Sequence, residues 1–220
     1  MQIHTLHPWN LTPREAVRCQ QELAAQIIHD RPLNPDSVRL VAGVDVSVKG
    51  GISRAAVVVL TFPALDVVER SVAQQPTPFP YIPGLLSFRE GPALETALRQ
   101  LAHEPDVFIF DGMGRIHPRR MGIASHMGLW LQKPTIGCGK SHFIGDYDPP
   151  GPRKGDSSPL TDRGELLGVV LRTRDNVKPV YISPGHLIDL PSALALTLRC
   201  TTRYRLPEPV RAAHRAAGDF

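Results

Sequence analysis

Residues 106–129, DVFIFDGMGRIHPRRMGIASHMGL, contain the pattern around which the rest of the sequence is arranged. The apolar run Val107–Phe110 is typical of a short strand buried on both faces. Asp111 ends this run, two glycines open a basic loop, and a helical pattern follows from Met121. A carboxylate at the end of a buried strand, beside basic groups, favours a metal ion held next to a phosphate. The alternative is a helix-capping Asp in a solvated loop.

Length and composition are typical of one globular domain. The chain has 220 residues, of which 42% are hydrophobic and 21% are charged. We therefore predict a single domain over residues 1–220. A net charge of +4 is compatible with an anionic partner but is too small to prove nucleic-acid binding.

The cysteines and the apolar segments exclude several classes of protein. Cys19, Cys138 and Cys200 are scattered and form no CxxC pair, which is typical of a reducing compartment without a disulfide framework. No apolar run approaches the ~20 residues of a membrane span. The first residues lack the basic start and the apolar segment of a signal peptide. We therefore expect a cytoplasmic protein with no membrane partner.

Strand-like and helix-like patterns follow one another along the chain in an informative order. Thr12 and Pro13 begin a helix that should run to about Ile28. Three strands then form a meander, followed by helix, strand, helix and strand. The predicted strands are residues 39–48, 52–62, 67–73, 107–110, 133–138, 165–173 and 178–183, and the later helices are residues 85–103, 121–130 and 190–200. A surface loop is predicted for residues 139–164, and a basic segment with frayed last residues from Arg203.

This order favours an α/β fold with a ribonuclease H-like mixed β-sheet flanked by α-helices. In open sheets the site usually lies at the carboxyl ends of parallel strands, where Asp111 falls. Asp45 lies inside the first strand, and strand adjacency would bring it beside Asp111. Two adjacent carboxylates repel each other unless a metal lies between them, and oxygen ligands favour Mg²⁺ or Mn²⁺ over zinc. The alternative is an Asp45 paired with a buried Arg or Lys.

Two further residues are candidates for the same site. Glu90 lies on the helix between the third and fourth strands, from which it could reach the carboxylates; as an isolated helical Glu it would be solvated. Lys140 ends the run TIGCGK after the next strand, where the preceding glycines would let its ammonium group approach the site. A surface Lys is the alternative. The glycine spacing of GCGKS does not match a phosphate loop, so we reject a nucleoside-triphosphate site.

Five motifs carry a resemblance to a known family. They are VAGVDVS (41–47), PYIPGLLSFREGP (80–92), FDGMGRIHPRRMGIASHMGL (110–129), TIGCGKS (135–141) and ISPGHLIDL (182–190). In this order and spacing they resemble endonuclease V, the deoxyinosine 3′ endonuclease of DNA repair. The resemblance spans residues 14–200, and the segment after Arg205 offers no motif of the family.

The resemblance implies a ribonuclease H-like fold and a Mg²⁺-dependent endodeoxyribonuclease in which Mn²⁺ can substitute. Such an enzyme would cut the second phosphodiester bond 3′ to deoxyinosine and leave 3′-hydroxyl and 5′-phosphate ends. The implied metal ligands are Asp45, Glu90 and Asp111, and the residues near the scissile phosphate are Lys140 and His117. The implied DNA-binding residues are Tyr81, Ile82, Pro83, Gly84, Leu86, Gly112, Ile123 and His186, of which Tyr81 to Pro83 form a wedge and His186 lies near the metal.

Two rival functions remain open at the level of sequence. One is an endoribonuclease specific for inosine in RNA, which would differ in how the site treats the 2′-hydroxyl. The other is a nucleic-acid binder without nuclease activity, which the joint presence of Asp45, Glu90, Asp111 and Lys140 disfavours. Tyr81 also has two interpretations, as a core residue or as a wedge, and its neighbouring prolines favour the wedge. A monomer is expected.

Overall fold

The structure, a computed structural model, describes residues 1–218. These residues form one β-sheet with helices packed on it. Its eight strands have the spatial order β3-β2-β1-β4-β5-β8-β7-β6. The strands are β1 (Leu40–Lys49), β2 (Ile52–Thr61), β3 (Val67–Pro76), β4 (Val107–Phe110), β5 (Thr135–Gly139), β6 (Ser157–Asp162), β7 (Glu165–Leu171) and β8 (Val180–His186). The helices are α1 (Pro13–Ala24), α2 (Leu86–Arg99), α3 (Ile123–Leu131), α4 (Leu190–Arg199) and α5 (Glu208–Gly218), with a short 3-10 turn at Pro35–Ser37.

The strand directions confirm the predicted mixed sheet. Strands β1, β2 and β3 pair antiparallel, as the meander required. The turn between β1 and β2 contains Gly50 and Gly51, both with positive φ (58° and 77°), which is the backbone that a tight hairpin needs. Strand β4 then pairs parallel to β1, and β5 pairs parallel to β4. The carboxyl ends of these three parallel strands therefore meet at one edge of the sheet.

Helices cover both faces of the sheet, also as predicted. Helices α2 and α3 pack on one face, where Ala42, Val44, Phe108 and Phe110 of the central strands contact them. Helices α4 and α5 pack on the other face, against alternate residues of the same strands. Such two-sided burial explains the nearly continuous apolar run of β4, whose four residues are all buried.

Helix α1 begins as predicted but ends four residues early. Thr12 caps it, and Glu15 completes a capping box with the backbone N–H of Thr12. The helix ends at Ala24 rather than at Ile28. The N–H of Ile28 donates to His186 Nδ1 and its carbonyl accepts from Leu187, so contacts with β8 replace the helical hydrogen bonds there.

Two segments contain regular structure that was not predicted. The predicted loop of residues 139–164 contains β6, which pairs with β7 and extends the sheet. The basic segment from Arg203, in which only the last residues were predicted to be frayed, contains α5, whose small buried residues pack on β1 and β2. Residues 219 and 220, which belong to the predicted domain and its frayed end, lie outside the described residues. None of the helices found in residues 1–218 has the length and apolar character needed to span a membrane.

Candidate active site

Two carboxylates meet at the edge of the sheet where the parallel strands end. Val44 of β1 is in register with Phe110 of β4, and the N–H of Asp111 donates to the carbonyl of Val44 at 2.9 Å. Asp45 and Asp111 follow directly, with side chains only 11% and 9% exposed. Their oxygens belong to a group of potential ligand atoms that all lie within 4.8 Å of one another. The structure thus brings together the two carboxylates that the sequence pairs.

Two nitrogen-bearing side chains face these carboxylates. Lys140, directly after β5, forms an ion pair with Asp111 Oδ2. His214 Nδ1, on α5, lies 2.8 Å from Asp45 Oδ2 and 4.0 Å from Asp111 Oδ2. The alternative in which Asp45 pairs with a buried Arg or Lys is therefore wrong, because its partner is a histidine that is 58% exposed.

His214 is the site residue that sequence reasoning missed. A lone His in a basic segment without large apolar residues gives no sign of a ligand. The available signal was the spacing of Val210, Ala213 and Ala217, which lie on one buried helical face. Recognising that helix would have placed His214 on an element packed against the sheet. The metal site, which was predicted from the sequence to have only oxygen ligands, therefore also includes a nitrogen donor.

Burial and like charge govern the titration of the acidic residues. Burial, and next the charge of Asp45, raise the pKa of Asp111 above its usual value, although Lys140 and His214 act in the opposite direction. Burial, and then the charges of Asp45 and Asp111, raise the pKa of Glu90 well above its usual value. Glu90 is therefore close enough for the charges of Asp45 and Asp111 to act on it. It does not belong to the group of Asp45, Asp111 and His214, whose ligand atoms lie within 4.8 Å of one another.

The donor set fits a hard divalent cation. Two carboxylates that repel each other in a partly buried position are stabilised by a cation between them. Mg²⁺ is usually held by one or two carboxylates, and Mn²⁺ accepts oxygen ligands and also imidazole nitrogen. Asp45, Asp111 and His214 offer this combination of atoms.

An apolar pocket opens beside the carboxylates. Seven of the eight predicted DNA-binding residues line it: Tyr81, Ile82, Pro83, Gly84, Leu86, Gly112 and Ile123. Tyr81 is 70% exposed, so the interpretation of this residue as part of the core is wrong. Ser87 and Phe143 also line the pocket and were not predicted, because a Ser inside a helix and a Phe in a loop have many other uses.

His117 lines the same pocket but is fully engaged by the protein. Its Nε2–H donates to the carbonyl of Gly84 at 3.0 Å, while Nδ1 accepts from the N–H groups of Arg119 (3.2 Å) and Met121 (3.3 Å). Burial, aided by the charge of Arg119, lowers the pKa of His117 to about 4. A neutral ring with both nitrogens bonded does not support the predicted role in proton transfer or phosphate contact; it supports a role in shaping the pocket.

His186 lies away from both the carboxylates and the pocket. It pairs with Thr135 at the start of β5, and Thr135 pairs with Phe108 of β4. Asp111 is three residues further along, a separation of about 10 Å at the usual rise of a strand. The side chain is buried, and its Nδ1 accepts from the N–H of Ile28 at 3.2 Å. This corrects the predicted position near the metal, and the histidine beside the carboxylates is His214.

Both the sequence and the fold of the chain are similar to those of known proteins. The family model described as Endonuclease V matches residues 21–215. An endonuclease V of Trichormus variabilis is 53% identical over 222 residues, covering 100% of both chains. The crystal structure of the Bacillus subtilis enzyme has a TM-score of 0.94 at 32% identity, covering 99% of this chain and 95% of that one.

A third relative was crystallised with nucleic acid. Endonuclease V of Ciona intestinalis, in complex with a 24mer DNA containing an inosine followed by a ribo-adenosine, has a TM-score of 0.80 at 28% identity. The alignment covers 93% of this chain and 95% of that one. The predicted ribonuclease H-like fold and the resemblance noted in the sequence are thus both confirmed. The chain belongs to the endonuclease V family of nucleases.

Proposed function

We propose that this nuclease cleaves DNA on the 3′ side of deoxyinosine, at the second phosphodiester bond, and leaves 3′-hydroxyl and 5′-phosphate ends. The observation that carries the proposal is the position of Asp45 and Asp111 beside an apolar pocket with an exposed aromatic residue at its mouth. The inosine-containing DNA bound by the Ciona relative supports the same substrate.

Asp45 and Asp111 would hold Mg²⁺, or Mn²⁺ in its place, with His214 as a third donor and Glu90 close by. The bound ion supplies polarisation of the phosphate and a lower pKa for an attacking water. Lys140 brings a positive charge to the same edge of the sheet, where it would stabilise the charge that develops on the phosphate oxygens. Without the ion, His214 would help to hold Asp45 in place through the 2.8 Å contact of Nδ1 with Asp45 Oδ2.

The pocket would accept the deaminated base after it leaves the duplex. Extrusion costs a few kcal/mol, and stacking of Tyr81 on the exposed neighbouring base would offset ~1–3 kcal/mol. Helix α2 starts at the pocket, and no side chain of the described residues caps it, so first-turn N–H groups remain as donors. Such N–H groups can donate to O6 of hypoxanthine, whereas the amino group of adenine at the same position is itself a donor. This mismatch should make cleavage at adenine slower than at hypoxanthine by on the order of 10⁴-fold.

One observation favours a second candidate, cleavage of RNA at inosine. The DNA in the Ciona complex contains an inosine followed by a ribo-adenosine, so the nucleic acid bound by that relative includes a ribonucleotide next to the inosine. An endoribonuclease of the same site chemistry is therefore the alternative substrate assignment. The monomeric state and the cytoplasmic location are also proposals.

The test is a 5′-labelled duplex with one deoxyinosine, incubated with and without Mg²⁺ beside the matching adenosine duplex and the matching inosine RNA. We expect one Mg²⁺-dependent product that ends one nucleotide 3′ of inosine and can be extended by a polymerase. Faster cleavage of the RNA would favour the second candidate. Tight binding without cleavage at any metal concentration would identify a nucleic-acid binder and contradict the nuclease assignment.

A further inference from the structure

Three side chains, His7, His126 and Ser87, form a hydrogen-bonded row, called the file below, from the N-terminal segment to the wall of the pocket. His7 Nδ1 lies 2.9 Å from the carbonyl oxygen of Pro8, and His7 Nε2 lies 2.7 Å from His126 Nε2. His126 Nδ1 lies 2.7 Å from Ser87 Oγ. Ser87 is 1% exposed and lines the pocket, and His126 is fully buried. None of these residues belongs to the carboxylate group.

The first contact determines the direction of every hydrogen bond in the file. A carbonyl oxygen only accepts, so the contact with Pro8 places the proton of a neutral His7 on Nδ1. His7 Nε2 is then an acceptor, and His126 must donate from its own Nε2. His126 Nδ1 consequently accepts, and the hydroxyl hydrogen of Ser87 points to it. The oxygen of Ser87 is left with lone pairs only.

Burial supports the neutral form of both histidines on which this direction depends. Burial lowers the pKa of His7, against weaker opposing effects of the Pro8 carbonyl and Glu95. Burial, and then the proximity of His7, lower the pKa of His126 well below its usual value. The side chains around the two histidines are packed and bonded to one another: Trp9 stacks on Trp130 with centroids 4.4 Å apart and donates from Nε1 to Glu95 at 2.8 Å.

We propose that Ser87 is a specificity-determining residue that presents a permanent hydrogen-bond acceptor to the base in the pocket. His126 and His7 are positioning residues, which act by keeping the hydroxyl hydrogen turned away. Hypoxanthine carries a hydrogen on N1 that Ser87 can accept, whereas N1 of adenine is itself an acceptor and would oppose the Ser87 oxygen. This inference rests on the proposed function, and it adds a side-chain acceptor to the backbone donors at the start of α2.

The binding test compares Ser87→Ala with the wild type on two single-stranded oligonucleotides, in EDTA so that no cleavage occurs. One contains deoxyinosine and the other contains unsubstituted purine, which lacks both O6 and the N1 hydrogen. The absence of O6 from purine should weaken binding to the wild type and to Ser87→Ala by the same factor. This factor cancels when the inosine-to-purine affinity ratios of the two proteins are compared. We expect Ser87→Ala to weaken inosine binding about 3- to 10-fold more than purine binding. Ser125→Ala is the matched control: Ser125 is also buried on a nearby helix, and its hydroxyl has no partner within residues 1–218.

A second measurement is independent of DNA. The ¹⁵N chemical shifts of His126 should show a hydrogen on Nε2 and none on Nδ1 in the wild type. His7→Phe keeps an aromatic ring among Trp9, Phe88 and Trp130 but removes the acceptor, so the two tautomers of His126 should mix and the preference for inosine over purine should fall.

The possible results distinguish a failure of the proposed function from a failure of the role of Ser87. A wild-type protein that binds inosine no better than unsubstituted purine would contradict the proposed function. A wild type that prefers inosine, with Ser87→Ala weakening both ligands equally, would overturn the inference alone. A His126 protonated on Nδ1 in the wild type would also overturn it.

Discussion

The negative charge of Asp111 should lower the stability of the folded protein without a metal ion and should be required for binding the proposed metal ion. Its raised pKa means that the ionised side chain is disfavoured in the folded protein, chiefly by burial and by Asp45. Asp111→Asn removes that charge and keeps the shape. We expect its melting temperature in EDTA at neutral pH to equal or exceed that of the wild type, while Mn²⁺ no longer raises it and cleavage is lost. Calorimetric titration with Mn²⁺ and thermal unfolding measure these effects.

The exposed Asp66 provides the control. Asp66→Asn should retain both the stabilisation by Mn²⁺ and the cleavage, because Asp66 lies in the turn between β2 and β3. Glu90→Gln should reduce cleavage less than Asp111→Asn, since Glu90 lies outside the close group of ligand atoms. Undiminished turnover by Asp111→Asn would refute the metal assignment.

Tyr81 offers a prediction in which binding and stability separate. Its side chain is 70% exposed, so Tyr81→Ala should leave the melting temperature near that of the wild type. Loss of stacking should weaken binding to duplex inosine by about 5- to 150-fold, and less on single strands, which have less stacking to replace. Fluorescence anisotropy on both substrates checks this. A large drop in melting temperature with unchanged affinity would contradict it.

Individual residues differ in how well the sequence could place them. Asp45 and Asp111 could be paired because each belongs to a recognisable buried strand, and parallel neighbours bring such positions together. His117 and His186 could not, because their partners are backbone groups that no sequence pattern specifies. The role of Ser87 was equally hidden, since it depends on a chain of contacts that begins at His7.

At the level of elements, α5 determines where His214 lies. A Cβ added to Gly43 would lie 1.8 Å from the carbonyl oxygen of Pro209, and backbone cannot yield as a side chain can. Gly43→Ala should therefore move α5 away from β1 and lower the free energy of unfolding by about 1–3 kcal/mol. Cleavage should fall on the order of 10²-fold through displacement of His214. Denaturant unfolding and cleavage rates measure both effects.

Gly218 is the matched control on the same helix. No atom of the described chain lies within 4 Å of a Cβ added there, and helix propensity favours Ala. Gly218→Ala should thus keep wild-type stability and rate. Wild-type cleavage by Gly43→Ala would show that the contact of α5 with β1 does not position the site.

Most elements could be predicted because their apolar periodicity is strong. The missed elements share a weak signal: β6 contains Pro159 and has Leu160 as its one large apolar residue, and α5 buries mainly alanine. The backbone of α5 at Pro209 and Val210 lies directly against Gly43, and the other buried positions of the helix are alanines. A pattern based on large apolar residues does not detect such close packing.

For the whole molecule, buried histidines make stability depend on pH. Burial lowers the pKa of His117 and of His186 to about 4 each, below the ordinary value of 6.5. As the pH falls below 6.5, the unfolded chain binds protons at these positions and the folded chain does not, so stability falls until about pH 4. Each histidine should remove about 2 kcal/mol between pH 7.5 and pH 5.

His186→Asn tests this dependence, because the amide oxygen can still accept from Ile28 but does not titrate. Urea unfolding at the two pH values should show a difference smaller than that of the wild type by about 2 kcal/mol. His4→Asn, at an exposed position, should leave the difference unchanged. An equal pH dependence in His186→Asn and the wild type would contradict the prediction.

The contact between His214 and Asp45 joins residues 169 positions apart. A ribosome adds about 5–20 residues per second, so His214 is synthesised roughly 10–30 s after Asp45. During the later part of that interval, once Asp111 has been added, the growing chain contains both carboxylates but lacks the helix that completes their surroundings. We therefore expect a nascent chain to be inactive on DNA until α5 has been synthesised, so that a fragment ending before α5 has no nuclease activity.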